Sequence, residues 1–142
     1  MIRFACAAAA ALTLSIAPAA LAQDGGHAVV LTFETGAPTG RVMVALFDSE
    51  AAYDSNRPTA SAAVEAGEAP AVAVFRDLPA GDYAVKAFHD VDGDGEMDLN
   101  PFGIPTEPFA FSNNAAGNMG PARWERARFE LAGDVAQTIR IR

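Results

Sequence analysis

The chain has 142 residues, 18 Asp plus Glu against 10 Lys plus Arg, a formal charge of −8 and a single cysteine. A surface this acidic repels phosphate backbones and anionic lipid, so nucleic acid and anionic membrane are excluded as expected partners, and cations are favoured. The length suits one domain with one hydrophobic core, and beyond the N-terminal stretch no apolar run approaches membrane-spanning length.

Residues 1–22 read as a secretory signal peptide of bacterial type. Arg3 supplies the positive start, Phe4 to Ala17 are apolar, and Ala20-Leu21-Ala22 forms a small-x-small cleavage site before Gln23. That apolar run is too short and too rich in alanine for a stable span. Cys6 falls inside it, ahead of most of the apolar stretch, where lipid attachment at a cleavage site is not expected. The remaining domain, residues 23–142, is expected to be periplasmic or secreted. It has no cysteine, which excludes disulfides, thiolate nucleophiles and thiolate metal sites.

Period-two alternation dominates from here on. Val29, Leu31 and Phe33 share one face of a first strand. Gly40 to Asp48 is apolar on both faces, as a central strand requires. Ser49 to Arg57 suits a single helical turn capped by Asp48 or Ser49, with Tyr53 packing inward. Strands follow over Ala60–Ala66 and Ala71–Arg76. The turn Asp77 to Asp82 then feeds a strand over Tyr83–His89, with Tyr83, Val85, Ala87 and His89 on the interior face. Ala127, Phe129 and Leu131 alternate near the C-terminus, and after a Gly133-Asp134 turn Ile139 and Ile141 do the same. About seven strands of ordinary length predict an all-β fold, a single antiparallel β-sandwich of the Ig-like or prealbumin-like kind.

The run Asp90-Val-Asp-Gly-Asp-Gly-Glu-Met-Asp98 places five carboxylates within nine residues. Its spacing matches an EF-hand-type calcium loop through the ninth position. Asp90, Asp92 and Asp94 would offer side-chain oxygens, Gly95 the sharp turn, Glu96 its carbonyl, and Asp98 a direct or water-mediated ligand. Oxygen donors at this density suit Ca2+ rather than zinc or copper. Pro101 stands where the bidentate Glu of the twelfth position belongs, so Glu107, Asn100 or a later carbonyl would have to complete the shell. The competing reading is an acidic turn, because Asp-Gly pairs form turns without any metal.

From Val91 to Ala122 the alternation stops for about 30 residues, a length that is uncommon for loops in compact domains. Phe102, Ile104, Phe109, Phe111 and Trp124 predict apolar anchors, and four prolines stiffen the path. An ordered excursion folding back over one end of the sandwich is expected. Ser112, Asn113 and Asn114 could line a groove, but satisfying local backbone is the favoured role. His89 is expected as a buried structural histidine beside the acidic loop. No G-x-S-x-G elbow is present, and neither histidine has a recognisable triad partner.

The phrase Phe75-Arg-Asp-Leu-Pro-Ala-Gly-Asp-Tyr-Ala-Val85 resembles a signature of transthyretin-like and carboxypeptidase-regulatory-like sandwiches. A larger set resembles the exported bacterial family called domain of unknown function 2141: Ala87 to Asp98, Gly103 to Asn114, Gly120-Pro121 and Trp124 to Ala127, in that order. The resemblance runs from about Gly40 to Leu131 and implies an Ig-like sandwich and export, with no activity attached. Asp92 and Asp94 depart from it, since relatives often carry Asn there; the ligand oxygens are kept and the charge rises. Transthyretin-like hydrolases acting on hydroxyisourate end in Tyr-Arg-Gly-Ser, whereas this chain ends Ile139-Arg-Ile-Arg142. The expected function is a non-enzymatic, exported, monomeric module with a weak Ca2+ site, serving an unknown protein or small ligand. The alternative is a metal-dependent hydrolase using the acidic loop and His89.

Overall fold

Alternation becomes eight strands in two facing sheets in the computed structural model, which describes residues 25–142. The expected leader over residues 1–22 lies outside the described residues. In chain order the elements are β1 (His27–Glu34), β2 (Arg41–Phe47), α1 (Glu50–Asp54), β3 (Ala60–Glu65), β4 (Ala71–Leu78), β5 (Gly81–Asp90), β6 (Phe109–Phe111), α2 (Trp124–Ala127), β7 (Phe129–Leu131) and β8 (Val135–Arg140). One sheet runs β4-β1-β8. The other runs β3-β2-β5, with β6 and β7 both on the second edge of β5.

Two details depart from the antiparallel seven-strand expectation. Strand β6 adds an eighth strand, formed by Phe109 and Phe111, which composition alone marks only as anchors. Strands β1 and β8 run parallel, from Val29 opposite Val135 to Glu34 opposite Arg140. The physical reason lies in the Gly133-Asp134 turn, which carries the chain from β7 in one sheet to β8 in the other. A turn that changes sheets makes no hairpin, so it does not force antiparallel pairing.

The main core lies between the sheets. Val29, Leu31 and Phe33 of β1 meet Val42, Val44 and Leu46 of β2, Tyr83 and Val85 of β5, Phe129, Leu131 and Ile139. All are buried, as alternation requires. A second core covers the far face of the larger sheet, where α1 and the end of the excursion pack Tyr53, Trp124, Ala122 and Ala127 on Phe47, Ala84 and Phe111. Ser49 caps α1 through the Ala52 N–H, as expected of that serine. Tyr53 sits edge-on to Phe47 and Trp124, at centroid distances of 5.3 and 5.8 Å, and its hydroxyl donates to the Ala122 carbonyl. Burial first, and nearby Asp54 second, push the Tyr53 phenol up to about 12. The folded chain therefore keeps a proton that the unfolded chain releases near the ordinary value of 10.0. Stability is expected to fall as pH rises between these two values, and in Tyr53→Phe that part of the alkaline loss should vanish from urea titrations.

The excursion is fixed by side chains that replace strand pairing. Between the stretches of β5 paired to β7 and β6, the Val85 N–H donates to the buried Ser112 hydroxyl, which donates in turn to the Ala127 carbonyl. Asn113 spends its amide on the carbonyls of Arg126, Ala127 and Arg128. Asn114 accepts from the Arg140 N–H and donates to the Thr138 carbonyl, covering the edge of β8. These three polar residues thus satisfy backbone, and Asn114 also lines a groove beside Phe109 and Phe111. Ser112→Ala strands a buried donor and a buried acceptor, and should lower unfolding free energy in urea by about 1–3 kcal/mol.

Phe111 and Trp124 are anchors as expected, whereas Phe102 and Ile104 are not. They are 87% and 58% exposed. Their turn is held by hydrogen bonds instead: Asn100 Oδ1 accepts from the N–H groups of Phe102 and Ile104, and a Leu99–Pro105 bridge closes its base. No apolar burial is needed to order it. Among the described residues no helix is long and apolar enough to cross a membrane.

Candidate metal centre

The acidic run begins at the C-terminal end of β5, where Asp90 stands opposite Arg41, the first residue of β2. The approach to β2 must be thin here, since a side chain on Gly40 would collide with the Asp90 carbonyl oxygen. Gly40 also has a positive φ of 77°. His89 precedes the loop and is 1% exposed; its Nε2 lies 2.6 Å from the Thr39 carbonyl oxygen. A carbonyl only accepts, so Nε2 carries the proton. This is the buried structural histidine expected from parity.

Asp90 is fully buried and organises the loop. Its carboxylate accepts from the N–H groups of Gly93 at 2.7 Å and Gly95 at 3.0 Å. Both glycines take positive φ, 83° and 86°, the conformation that lets successive N–H groups turn inward. Arg41 braces the same turn, donating to the Gly93 carbonyl at 2.7 Å with its guanidinium 3.8 Å from Asp90 Oδ2. Glu107 reaches across from the far side of the excursion. Its two oxygens accept from the N–H groups of Val91 at 2.8 Å and Asp98 at 3.3 Å, clamping both ends of the acidic run.

Asp90, Asp92 and Glu107 bring one carboxylate oxygen each within 4.8 Å of one another, with Asp90 and Glu107 buried and Asp92 exposed. Oxygens that share one calcium lie at most about 5 Å apart, twice a bond of about 2.3–2.6 Å, so the triad fits that ion. Carboxylate oxygens keep lone pairs beyond these hydrogen bonds, and three anions with one partly exposed arginine leave an excess of negative charge.

Of the five residues expected from the sequence, Asp90 and Asp92 join this triad. Asp94, Glu96 and Asp98 are exposed and lie outside it. The Asp94 carboxylate accepts from the Glu96 N–H at 2.8 Å, an ordinary local turn, and Asp98 presents its carbonyl to the Thr106 N–H. Glu107, one of three candidates to complete the shell, is the third member. Its signal in the sequence is faint: the sole carboxylate between Gly103 and Asn114, followed by a proline.

Fold and site together define an all-β sandwich protein with a carboxylate-rich loop at one end. The chain belongs to the family described as uncharacterized protein conserved in bacteria (DUF2141), whose model matches residues 34–140. No curated protein and no solved structure matches the chain.

Proposed function

We propose that the protein is an exported, non-enzymatic sandwich module, of Ig-like or transthyretin-like descent, whose acidic loop takes calcium. The observation that carries the reading is the approach of Asp90, Asp92 and Glu107 to within 4.8 Å. Asp94, Asp98 and the Glu96 carbonyl stand close in sequence and supply further oxygens once an ion draws the loop in. Affinity in the range of extracellular modules, about 10⁻⁴–10⁻³ M, matches a loop that lacks the bidentate Glu of the twelfth position. Export follows from the expected leader over residues 1–22, and the partner is a protein or small ligand met outside the cytoplasm.

The hydrolase alternative needs His89 free to exchange protons beside an open coordination position. His89 is buried with its Nε2 proton held by the Thr39 carbonyl, which favours the non-enzymatic reading. Thermal unfolding in calcium and in chelator tests the proposal. Calcium at a hundredfold excess over Kd should add about 2.7 kcal/mol, magnesium much less, and the double variant Asp92→Ala, Asp94→Ala should lose the shift while staying folded. Identical melting of the wild type in both conditions would reduce the loop to an acidic turn.

A further inference from the structure

The turn from Leu99 to Ile104 is closed by hydrogen bonds and yet apolar at its tip. Asn100 closes it twice over, donating to the Ile104 carbonyl at 2.9 Å while its side chain accepts from Phe102 and Ile104, and the Gly103 N–H donates to the Asn100 carbonyl. Nothing in that hydrogen bonding asks for large side chains. Still, Leu99, Phe102 and Ile104 are 57%, 87% and 58% exposed. Three large apolar side chains exposed on one short turn are more than a solvated loop needs, and exposed apolar groups gathered in this way are candidates for an interaction site. The exposed carboxylates of Asp92, Asp94, Glu96 and Asp98 adjoin the tip in the chain.

A surface of the opposite kind lies elsewhere on the same chain. A groove of about 350 Å3 has Phe109 and Phe111, edge to face at 5.8 Å, with Ala115 and Ala116 as its apolar lining, and Arg140 and Arg142 at its side. Arg140 is paired to Glu34, whereas among the described residues the Arg142 guanidinium makes no salt bridge. On an acidic protein, an apolar groove edged by arginine suits an apolar knob flanked by carboxylates. No residue of the tip lines the groove, so the two halves do not meet within one molecule.

We infer that the Leu99–Ile104 tip of one molecule docks in the Phe109–Arg142 groove of a second copy. Because tip and groove are different patches, the contact is head-to-tail and propagates unless a ring closes. Its area is small, so it is weak and reversible.

Sedimentation equilibrium of the purified protein tests this, in low salt and in chelator so that the outcome does not depend on metal. The mean mass should rise with concentration up to about 1 mM, the range in which small contacts associate. Phe102→Asp, and separately Arg142→Glu or Ala116→Asp in the groove, should each weaken association at least tenfold. All three positions are exposed, and the variants should melt like the wild type. An equimolar mixture of Phe102→Asp with Arg142→Glu should form pairs and nothing larger, since each supplies one intact half. A wild type that stays at the monomer mass, variants that still associate, or a mixture that fails to pair would overturn the inference. So would equal binding of the wild type and all three variants to anionic phosphatidylglycerol vesicles with no self-association.

Discussion

Phe129→Ala should lower unfolding free energy by about 3–5 kcal/mol, the range for a large aromatic removed from a core. Phe129 is 9% exposed, sits in the three-residue strand β7, and packs on Tyr83 with ring centroids 6.5 Å apart. Tyr83 cannot follow into the vacancy, because its hydroxyl is tied to the Pro79 carbonyl at 2.9 Å. The cavity therefore persists, and its volume adds to the transfer free energy lost. Urea unfolding at fixed calcium measures the difference; a loss below about 1 kcal/mol would mean that the site collapses around the missing ring.

Asp90→Ala is expected to destabilise the protein by about 3–6 kcal/mol even in chelator, from two hydrogen bonds to a buried carboxylate at about 1.5–3 kcal/mol each. Gly93 and Gly95 would lose the acceptor that holds them in the left-handed region, and Arg41 its counter-charge. Hydrogen exchange at those two amides should rise together with the loss of stability. Asp92→Ala makes the contrast. That side chain is exposed and accepts only the Asp94 N–H, so its removal in chelator should change stability by under about 0.5 kcal/mol. If both substitutions cost the same, Asp90 is not the organiser of the loop.

Much of the sandwich is legible from alternation. β1 and β5 bury the residues that parity selects, and Ser49 and Tyr53 take the roles their positions suggest. What escapes is set by contacts distant in sequence. β6 has three residues, too few to display a period, and exists because β5 offers it an edge, whereas the equally short β7 is marked by the alternation of Phe129 and Leu131. Strand direction is equally hidden, since Val135–Arg140 alternates the same way whether it runs with β1 or against it. Phe102 and Ile104 show that apolar composition does not say which way a side chain faces when polar bonds already hold the turn. The acidic loop is legible because its carboxylates are contiguous. Glu107 joins Asp90 only after the excursion doubles back, a fact no local spacing records.

The parallel pairing of β1 with β8 has a consequence for how the molecule comes into being. Ile139 is fully buried between the sheets, and the first strand receives its second neighbour only from the last strand of the chain. During synthesis, β1 can pair with β4 early, but its other edge stays open until Val135–Arg140 emerges. Contacts at such sequence separation are late and slow to form. A chain in which Val135–Arg140 is not yet available thus lacks one side of its smaller sheet, and that sheet is completed only after the strands of the larger one.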